Sequence, residues 1–127
     1  MRALLSIKPE FAYNIFNGNK KYEYRRNIFK LPVTHVVVYA SSPLRKVIGE
    51  FEVGGILYEE IDALWSQTKE FSGISSQFFY SYFQGKDKGY AIKVQQPRAY
   101  SCHLNLKADF GLFPPQSFVY LPNHVTV

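Results

Sequence analysis

The chain has 127 residues, 46% of them hydrophobic, and its 15 basic and 10 acidic residues give a net charge of +5 at pH 7. This length and apolar content suit one folded domain with a hydrophobic core and exclude a disordered chain. A single cysteine, Cys102, excludes an intramolecular disulfide and a cysteine-based metal site. We expect one domain over residues 1–127, cytoplasmic, without signal peptide, membrane span, metal or cofactor.

The first part of the chain predicts three short strands and one helix. Residues 2–8 alternate weakly, as in a strand, and Pro9 suits the first turn of a helix that ends before Gly18. Residues 20–26 are predicted as a short strand. The continuous apolar run 36–39 indicates a central strand that is covered on both faces.

The second part predicts a long strand, two helices, a single turn and two more strands. In chain order these are the strand 47–59 with a bulge at Gly54–Gly55, the helix 59–71, a helix between Ser75 and Gly85, a strand from residue 88 that stops at Pro97, the turn 104–111 and the strand 114–121. Strands and helices do not alternate regularly. The pattern therefore predicts an α+β fold, built as a small, mostly antiparallel β-barrel with two to three short helices.

Positive charge is concentrated in one segment. Residues 20–30 hold five cations against Glu23 alone, so this segment carries most of the net charge. A concentrated positive field acts on a polyanion such as nucleic acid, and the same residues also suit a solvated face. No Walker loop, dinucleotide-binding glycine pattern or nucleophile elbow accompanies the segment.

Three charged residues in this segment are placed to act together. Strand alternation puts Glu23 and Arg25 on one face, and Lys20 lies at the turn that enters the strand. The carboxylate suits hydrogen bonding to a base or activation of water, and the cations suit phosphate or carbonyl oxygens. The alternative is that these residues form only an ion pair, which would stabilise the fold by about 0.2–1 kcal/mol and would have no role in function. Lys21 and Arg26 lie outside this arrangement and are expected to be solvated.

Residues 18–25, Gly-Asn-Lys-Lys-Tyr-Glu-Tyr-Arg, match the pattern Gly-x-Lys-x-x-Glu-x-Arg, and the chain resembles the ASCH domain family on this motif. The flanking segments SIKPEFAYNIFNG and VVVYASSPLRKVIGEFEV are also similar to that family, so the resemblance covers nearly the whole chain. Within the family the chain looks like a subgroup of predicted transcriptional regulators. The resemblance implies a PUA-like pseudo-barrel with a cleft beside the motif strand.

The implied function is binding of RNA or of a modified nucleobase or nucleotide. By the resemblance Lys20, Glu23 and Arg25 line the cleft, with Lys8 at its opening. We add Tyr39, Ser41 and Ser42 as ligand-binding candidates, because they are polar groups that emerge from a buried strand. The alternative for the two serines, which precede a proline, is ordinary turn chemistry.

Two kinds of function follow, and a binding module is favoured over an enzyme. In the module, Tyr22, Tyr24 and Phe29 stack on bases while the cations hold phosphates. Some ASCH proteins are amidohydrolases that deacetylate N4-acetylcytidine with a threonine at the position of Glu23. Because residue 23 is a glutamate in this chain, the enzymatic alternative is hydrolysis by a glutamate-activated water, or ribonuclease activity. A third possibility is a dimer surface formed by the aromatic side chains of residues 71–83.

Overall fold

Six strands form one mixed sheet in the computed structural model, which describes residues 1–122 of the chain. The strands are β1 (Arg2–Ile7), β2 (Tyr22–Arg25), β3 (His35–Ala40), β4 (Lys46–Glu60), β5 (Lys88–Leu104) and β6 (Phe118–Leu121). The helices are α1 (Pro9–Phe16), α2 (Ile61–Thr68), α3 (Ser76–Tyr82) and α4 (Leu106–Phe110). The α+β class is confirmed, with four helices instead of two to three.

The sheet is open, so the predicted closed barrel is not confirmed. Its strand order is β2-β5-β4-β3-β1-β6, and the pair β1–β3 is parallel while the other pairs are antiparallel. Side chains connect the two end strands: Arg25 of β2 donates to the Ser117 hydroxyl just before β6, and the rings of Phe29 and Phe118 lie 5.0 Å apart. The gap between the ends of the sheet is therefore bridged by side chains.

Buried residues on both sides of the central strands form the core. In β1, Ala3 and Leu5 pack into one cluster beside α1, whereas Leu4 packs into a second cluster that includes Leu106 of α4. This division follows from the two-residue period of a strand. The predicted coverage of β3 on both faces is confirmed, because Val36 and Val37 belong to different clusters. A third cluster joins β2 and β5 to α2 and α3.

Several local predictions can be compared with the structure. The bulge at Gly54–Gly55 is confirmed by a shift in the β4–β5 register and a φ of 142° at Gly55. Ser75 caps α3 by accepting a hydrogen bond from the backbone N–H of Phe78 at 3.0 Å. The prediction that the fifth strand stops at Pro97 is wrong. A second register shift and a φ of 48° at Gln96 accommodate the missing proline N–H, and β5 continues to Leu104.

The helices of the described part are short. Residues 104–111, expected as a single turn, contain the five-residue helix α4, which Asn105 caps by accepting from the Ala108 N–H at 2.8 Å. None of the helices within residues 1–122 has the length and apolarity needed to cross a membrane.

Candidate functional site

A cavity of about 150 Å³ lies where β2 approaches the end of β1, the start of α1 and helix α3. Its lining residues are Ser6, Ile7, Lys8, Phe11, Lys20, Glu23, Tyr24, Arg25, Ile74, Phe78 and Tyr82. The structure thus brings together four of the seven predicted site residues, Lys8, Lys20, Glu23 and Arg25. A cavity of this size accommodates a molecule of about one aromatic ring.

Lys20 is the most deeply buried charged residue of the site, with 1% of its surface exposed. Its backbone N–H donates to the Asn14 carbonyl of α1 at 2.9 Å, and its Nζ donates to the Ser72 carbonyl at 2.8 Å. Gly73 packs directly on the lysine stem: a Cβ added there would lie 2.4 Å from the Lys20 Cβ. The segment before α3 therefore closes over Lys20 only because residue 73 is a glycine.

Two cations converge on one buried carboxylate. Glu23 Oε1 lies 3.8 Å from Lys20 Nζ, and Glu23 Oε2 accepts a hydrogen bond from Arg25 Nη1 at 3.2 Å. Arg25 is held further by the Ser117 hydroxyl and by the Ser6 carbonyl at 3.5 Å. The three charges leave a net positive charge when Lys20 is protonated, so the cavity suits an anionic or electron-rich ligand.

Burial lowers the pKa of Lys20 from 10.5 to about 8, and the nearby Glu23 carboxylate partly opposes this shift. The ammonium also lies 4.9 Å from the centroid of the Tyr24 ring and 5.6 Å from that of Phe11, where it gains cation–π attraction. Lys20 is therefore mostly protonated at neutral pH and gives up its proton within the mildly alkaline range. Such a group is suited to donate or transfer a proton near physiological pH.

Aromatic rings form the outer wall of the cavity. Phe78 packs edge-to-face on Phe11 with centroids 4.9 Å apart, and it is nearly parallel to Tyr82 at 6.3 Å. The exposed Lys8 places its Nζ 5.0 Å from the centroid of the Phe78 ring. Burial raises the pKa of Tyr82, and the positive charge of Arg25 acts in the opposite direction. The wall thus combines apolar ring faces with a cation at the opening.

The other three predicted site residues lie away from the cavity. Tyr39 is 3% exposed and packs in the second cluster with Leu4 and Val47, because it lies on the opposite face of β3 from Val38. Ser41 and Ser42 follow the end of β3 in a turn and do not line the cavity. Their ligand role stays a prediction that the geometry does not support.

The aromatic residues expected to stack on bases are buried or partly buried. Tyr24 is 5% exposed in the third cluster, where Tyr22 packs beside it, and Phe29 packs against the first cluster. Within the aromatic cluster of residues 71–83, Phe79 and Phe83 are buried in the third cluster, whereas Phe71 and Tyr80 are exposed. A dimer surface there stays a prediction.

Sequence reasoning missed the residues that complete the cavity. Phe11 and Phe78 belong to helices whose faces were assigned to the core, and Ser117 precedes a strand more than ninety residues from its partner Arg25. The short-range pattern around the motif contains no signal for these contacts. Within residues 1–122, no group of three or more His, Cys, Asp or Glu side chains is arranged to hold a metal ion.

Comparison with known proteins agrees with the motif and with the fold. The ASCH domain family model matches residues 5–99, and the chain belongs to the ASCH domain family. The ASCH domain-containing ribonuclease of Zymomonas mobilis is 31% identical over 131 residues, which cover 98% of this chain and 86% of that protein.

Two further comparisons extend this result. The crystal structure of ASCH from Zymomonas mobilis superposes with a TM-score of 0.89 at 31% identity, covering 96% of this chain and 88% of that chain. A protein of Ureaplasma parvum serovar 3 named large ribosomal subunit protein uL22 is 32% identical over 119 residues. Those residues cover 93% of this chain and 38% of that protein.

Proposed function

We propose that the protein acts on RNA, and that the cavity with Lys20, Glu23 and Arg25 binds a nucleotide of the substrate and promotes cleavage of its phosphodiester. The observation that carries the proposal is the buried Lys20–Glu23–Arg25 cluster on the wall of a ring-sized cavity. The likeness over nearly the full chain to a protein named as a ribonuclease supports the same function.

The chemistry follows from the charges of the cluster. The 2′-hydroxyl oxygen of the bound nucleotide attacks the adjacent phosphorus, and its proton passes to the Glu23 carboxylate. Arg25 stabilises the negative charge that develops on the phosphoryl oxygens. As the bond to the 5′-oxygen of the next nucleotide breaks, that oxygen takes a proton from Lys20 Nζ. Glu23 then returns its proton to Lys20 through a water molecule that replaces the product, because the two groups lie 3.8 Å apart, and the cluster is restored.

Single-residue variants test this assignment. A labelled single-stranded RNA is incubated with purified protein, with and without a chelator, and cleavage is followed on a gel. Glu23→Gln should reduce the cleavage rate by about 100-fold or more, because it removes the proton acceptor. Glu50→Gln is the matched control, since Glu50 is also paired to an arginine, Arg98, at 2.8 Å but lies outside the cavity.

The control also separates the activity of the protein from that of a contaminating nuclease, because both variants are purified in the same way. Cleavage by Glu23→Gln at the wild-type rate would contradict the catalytic role of Glu23. If wild-type protein neither cleaves nor binds RNA at low salt, the proposed function is wrong.

The size of the cavity favours a second candidate, which is hydrolysis of an amide on a single modified nucleoside such as N4-acetylcytidine. Water would attack the carbonyl carbon, Glu23 would take its proton, and Lys20 would donate a hydrogen bond to the oxyanion. As the C–N bond breaks, the leaving N4 nitrogen would take the proton from Glu23, which releases acetic acid and cytidine. Chromatography of the nucleoside after incubation tests this candidate. If the protein cleaves RNA but leaves N4-acetylcytidine unchanged, the second candidate function is excluded and the first is supported.

A further inference from the structure

A second concave surface, of about 490 Å³, lies beside the cavity at one end of β2, β4 and β5. We call it the tyrosine groove, and its principal side chains are Arg26, Tyr58, Lys86, Lys88 and Tyr90. Neither the motif nor the proposed chemistry accounts for this surface. Its composition, two aromatic rings among cations, is the one that binds unpaired nucleotides.

The two tyrosines form an exposed stacking platform. Tyr58 of β4 and Tyr90 of β5 are paired across the sheet, and their rings are stacked with centroids 4.3 Å apart and an interplanar angle of 21°. Tyr58 is 52% exposed, whereas Tyr24, expected from the sequence to stack on a base, is 5% exposed. An exposed ring held by a neighbouring ring is pre-ordered to stack on a base.

The side chains that line the groove carry a net positive charge. Arg26, Lys86 and Lys88 line it together with one acid, Asp87, and the four ion pairs found within residues 1–122 include none of these cations. Lys88 Nζ lies 5.3 Å from the centroid of the Tyr58 ring, so a cation stands next to the platform. A phosphate beside a base stacked on Tyr58 would meet this charge.

Arg26 is more ordered than a solvated surface charge. Its Nη1 donates to the carbonyls of Tyr82 at 2.9 Å and Gln84 at 3.1 Å, and the side chain is half-buried. Arg26 is therefore held in place more firmly than the solvated charge expected from the sequence, but it stays partly exposed. The two carbonyls occupy part of the guanidinium and hold it at the edge of the groove, where its remaining N–H donors suit phosphate.

The groove and the cavity are adjacent. Tyr90 of the groove is the register partner of Arg25 of the cavity, which puts their Cα atoms about 5 Å apart. Tyr82 lines the cavity, and its carbonyl accepts the hydrogen bond from Arg26 of the groove. An RNA strand that places one nucleotide in the cavity would therefore place its next nucleotide at the groove.

From this arrangement we infer that the tyrosine groove is a second contact surface for the RNA, on which the base that neighbours the nucleotide in the cavity stacks on Tyr58. The inference rests on the proposed function and adds a binding surface outside the cavity to it. A free nucleoside would leave the groove empty, and a base-paired strand would not present its base faces to the tyrosine.

Binding measurements with groove variants test the inference. The probe is a fluorescein-labelled, 2′-O-methylated single-stranded RNA of about eight nucleotides, which lacks the attacking hydroxyl and survives the measurement. Tyr58→Leu should weaken binding by about 5- to 150-fold, the range for loss of one stacked base, and Tyr58→Phe should restore it. Lys88→Ala should weaken binding and reduce its salt dependence.

Matched measurements make the result specific. Tyr13→Leu removes a tyrosine of α1 that is similarly exposed, at 48%, and lies outside both surfaces, so it should bind the RNA as wild type does. Uridine 3′-monophosphate, followed by its displacement of the labelled RNA, should bind Tyr58→Leu and wild type equally. Melting temperatures verify that each variant is folded.

The outcomes separate the inference from the proposed function. If Tyr58→Leu binds the RNA as tightly as wild type while Lys20→Met loses binding, the groove is not a contact surface and the inference is overturned, but the function of the cavity stands. If neither variant changes RNA binding, the inference and the proposed cavity are both wrong. If Tyr58→Leu weakens binding of uridine 3′-monophosphate as much as it weakens binding of the RNA, the inference is also overturned, because the substitution would then act through the cavity.

Discussion

Replacement of Lys20 by methionine should change how the stability of the protein depends on pH. Burial lowers the pKa of Lys20 in the folded state to about 8, against 10.5 for an unperturbed lysine. Between these two values the unfolded chain binds more protons than the folded chain, so the free energy of unfolding rises with pH. The cost of burying the ammonium is fully present below about pH 8 and is relieved as pH increases toward 10.5.

The magnitude follows from the two pKa values. Each pH unit between them contributes at most about 1.4 kcal/mol, and from pH 7 to pH 9.5 the total gain is about 2 kcal/mol. Lys20→Met lacks the titrating group and should lack this gain, although its methylenes still fill the space beneath Gly73. Lys21→Met, which removes an exposed neighbouring ammonium, should keep the wild-type dependence on pH.

Urea unfolding followed by tryptophan fluorescence measures this difference. The single tryptophan, Trp65, packs against Phe79 with ring centroids 4.8 Å apart and should report loss of the third cluster. With a typical urea slope of 1–3 kcal/mol/M, the wild-type midpoint should shift by about 1 M between pH 7 and pH 9.5. Parallel pH profiles for wild type and Lys20→Met would refute the assignment of a buried, titrating ammonium.

Three further predictions concern the same region. Gly73→Ala should lower the free energy of unfolding by about 2 kcal/mol or more, since φ is +66° and the new Cβ meets the Lys20 stem. Gly85→Ala is the control, because φ at Gly85 is +86° and the space around it is open, so it should cost only the backbone strain of about 1–2 kcal/mol. If both variants lose the same free energy of unfolding in urea, the contact between residue 73 and Lys20 is contradicted. Tyr24→Phe should lower the free energy of unfolding by about 1 kcal/mol in the same assay, because it removes the 2.6 Å hydrogen bond between the Tyr24 and Thr68 hydroxyls. An unchanged urea midpoint would contradict this hydrogen bond. Affinity for single-stranded RNA, measured by fluorescence anisotropy, should fall as pH rises through about 8, because Lys20 loses its charge, and Lys20→Met should abolish this step.

Much of the local structure could be predicted from the sequence. Ser75 was expected to cap α3, Gly54–Gly55 to form a bulge, and the run from Val36 to Tyr39 to be covered on both faces, and each is confirmed. These features depend on short-range hydrogen bonding, backbone conformation and the period of a strand, which a few neighbouring residues determine. Pro97 is the exception, because the bulge that lets β5 pass it depends on the register with β4.

The site was predicted in part for a similar reason. Lys20, Glu23 and Arg25 are close in sequence, and a turn followed by a strand holds them together. Tyr39 was assigned to a ligand because it ends a buried strand, but the alternation of that strand turns it into the second cluster. Sequence spacing determines which face of a strand a residue occupies, but not which face borders a cavity.

The sequence by itself determined the family motif, the α+β composition and the three charges of the cluster. The tertiary structure decided what surrounds them: Gly73 closes over Lys20, Phe78 forms the outer wall, and Tyr58 stacks on Tyr90 beside the opening. These contacts join segments that are far apart along the chain. The pKa of Lys20 depends on them, because a charge is desolvated by whatever the fold packs around it and not by its neighbours in sequence.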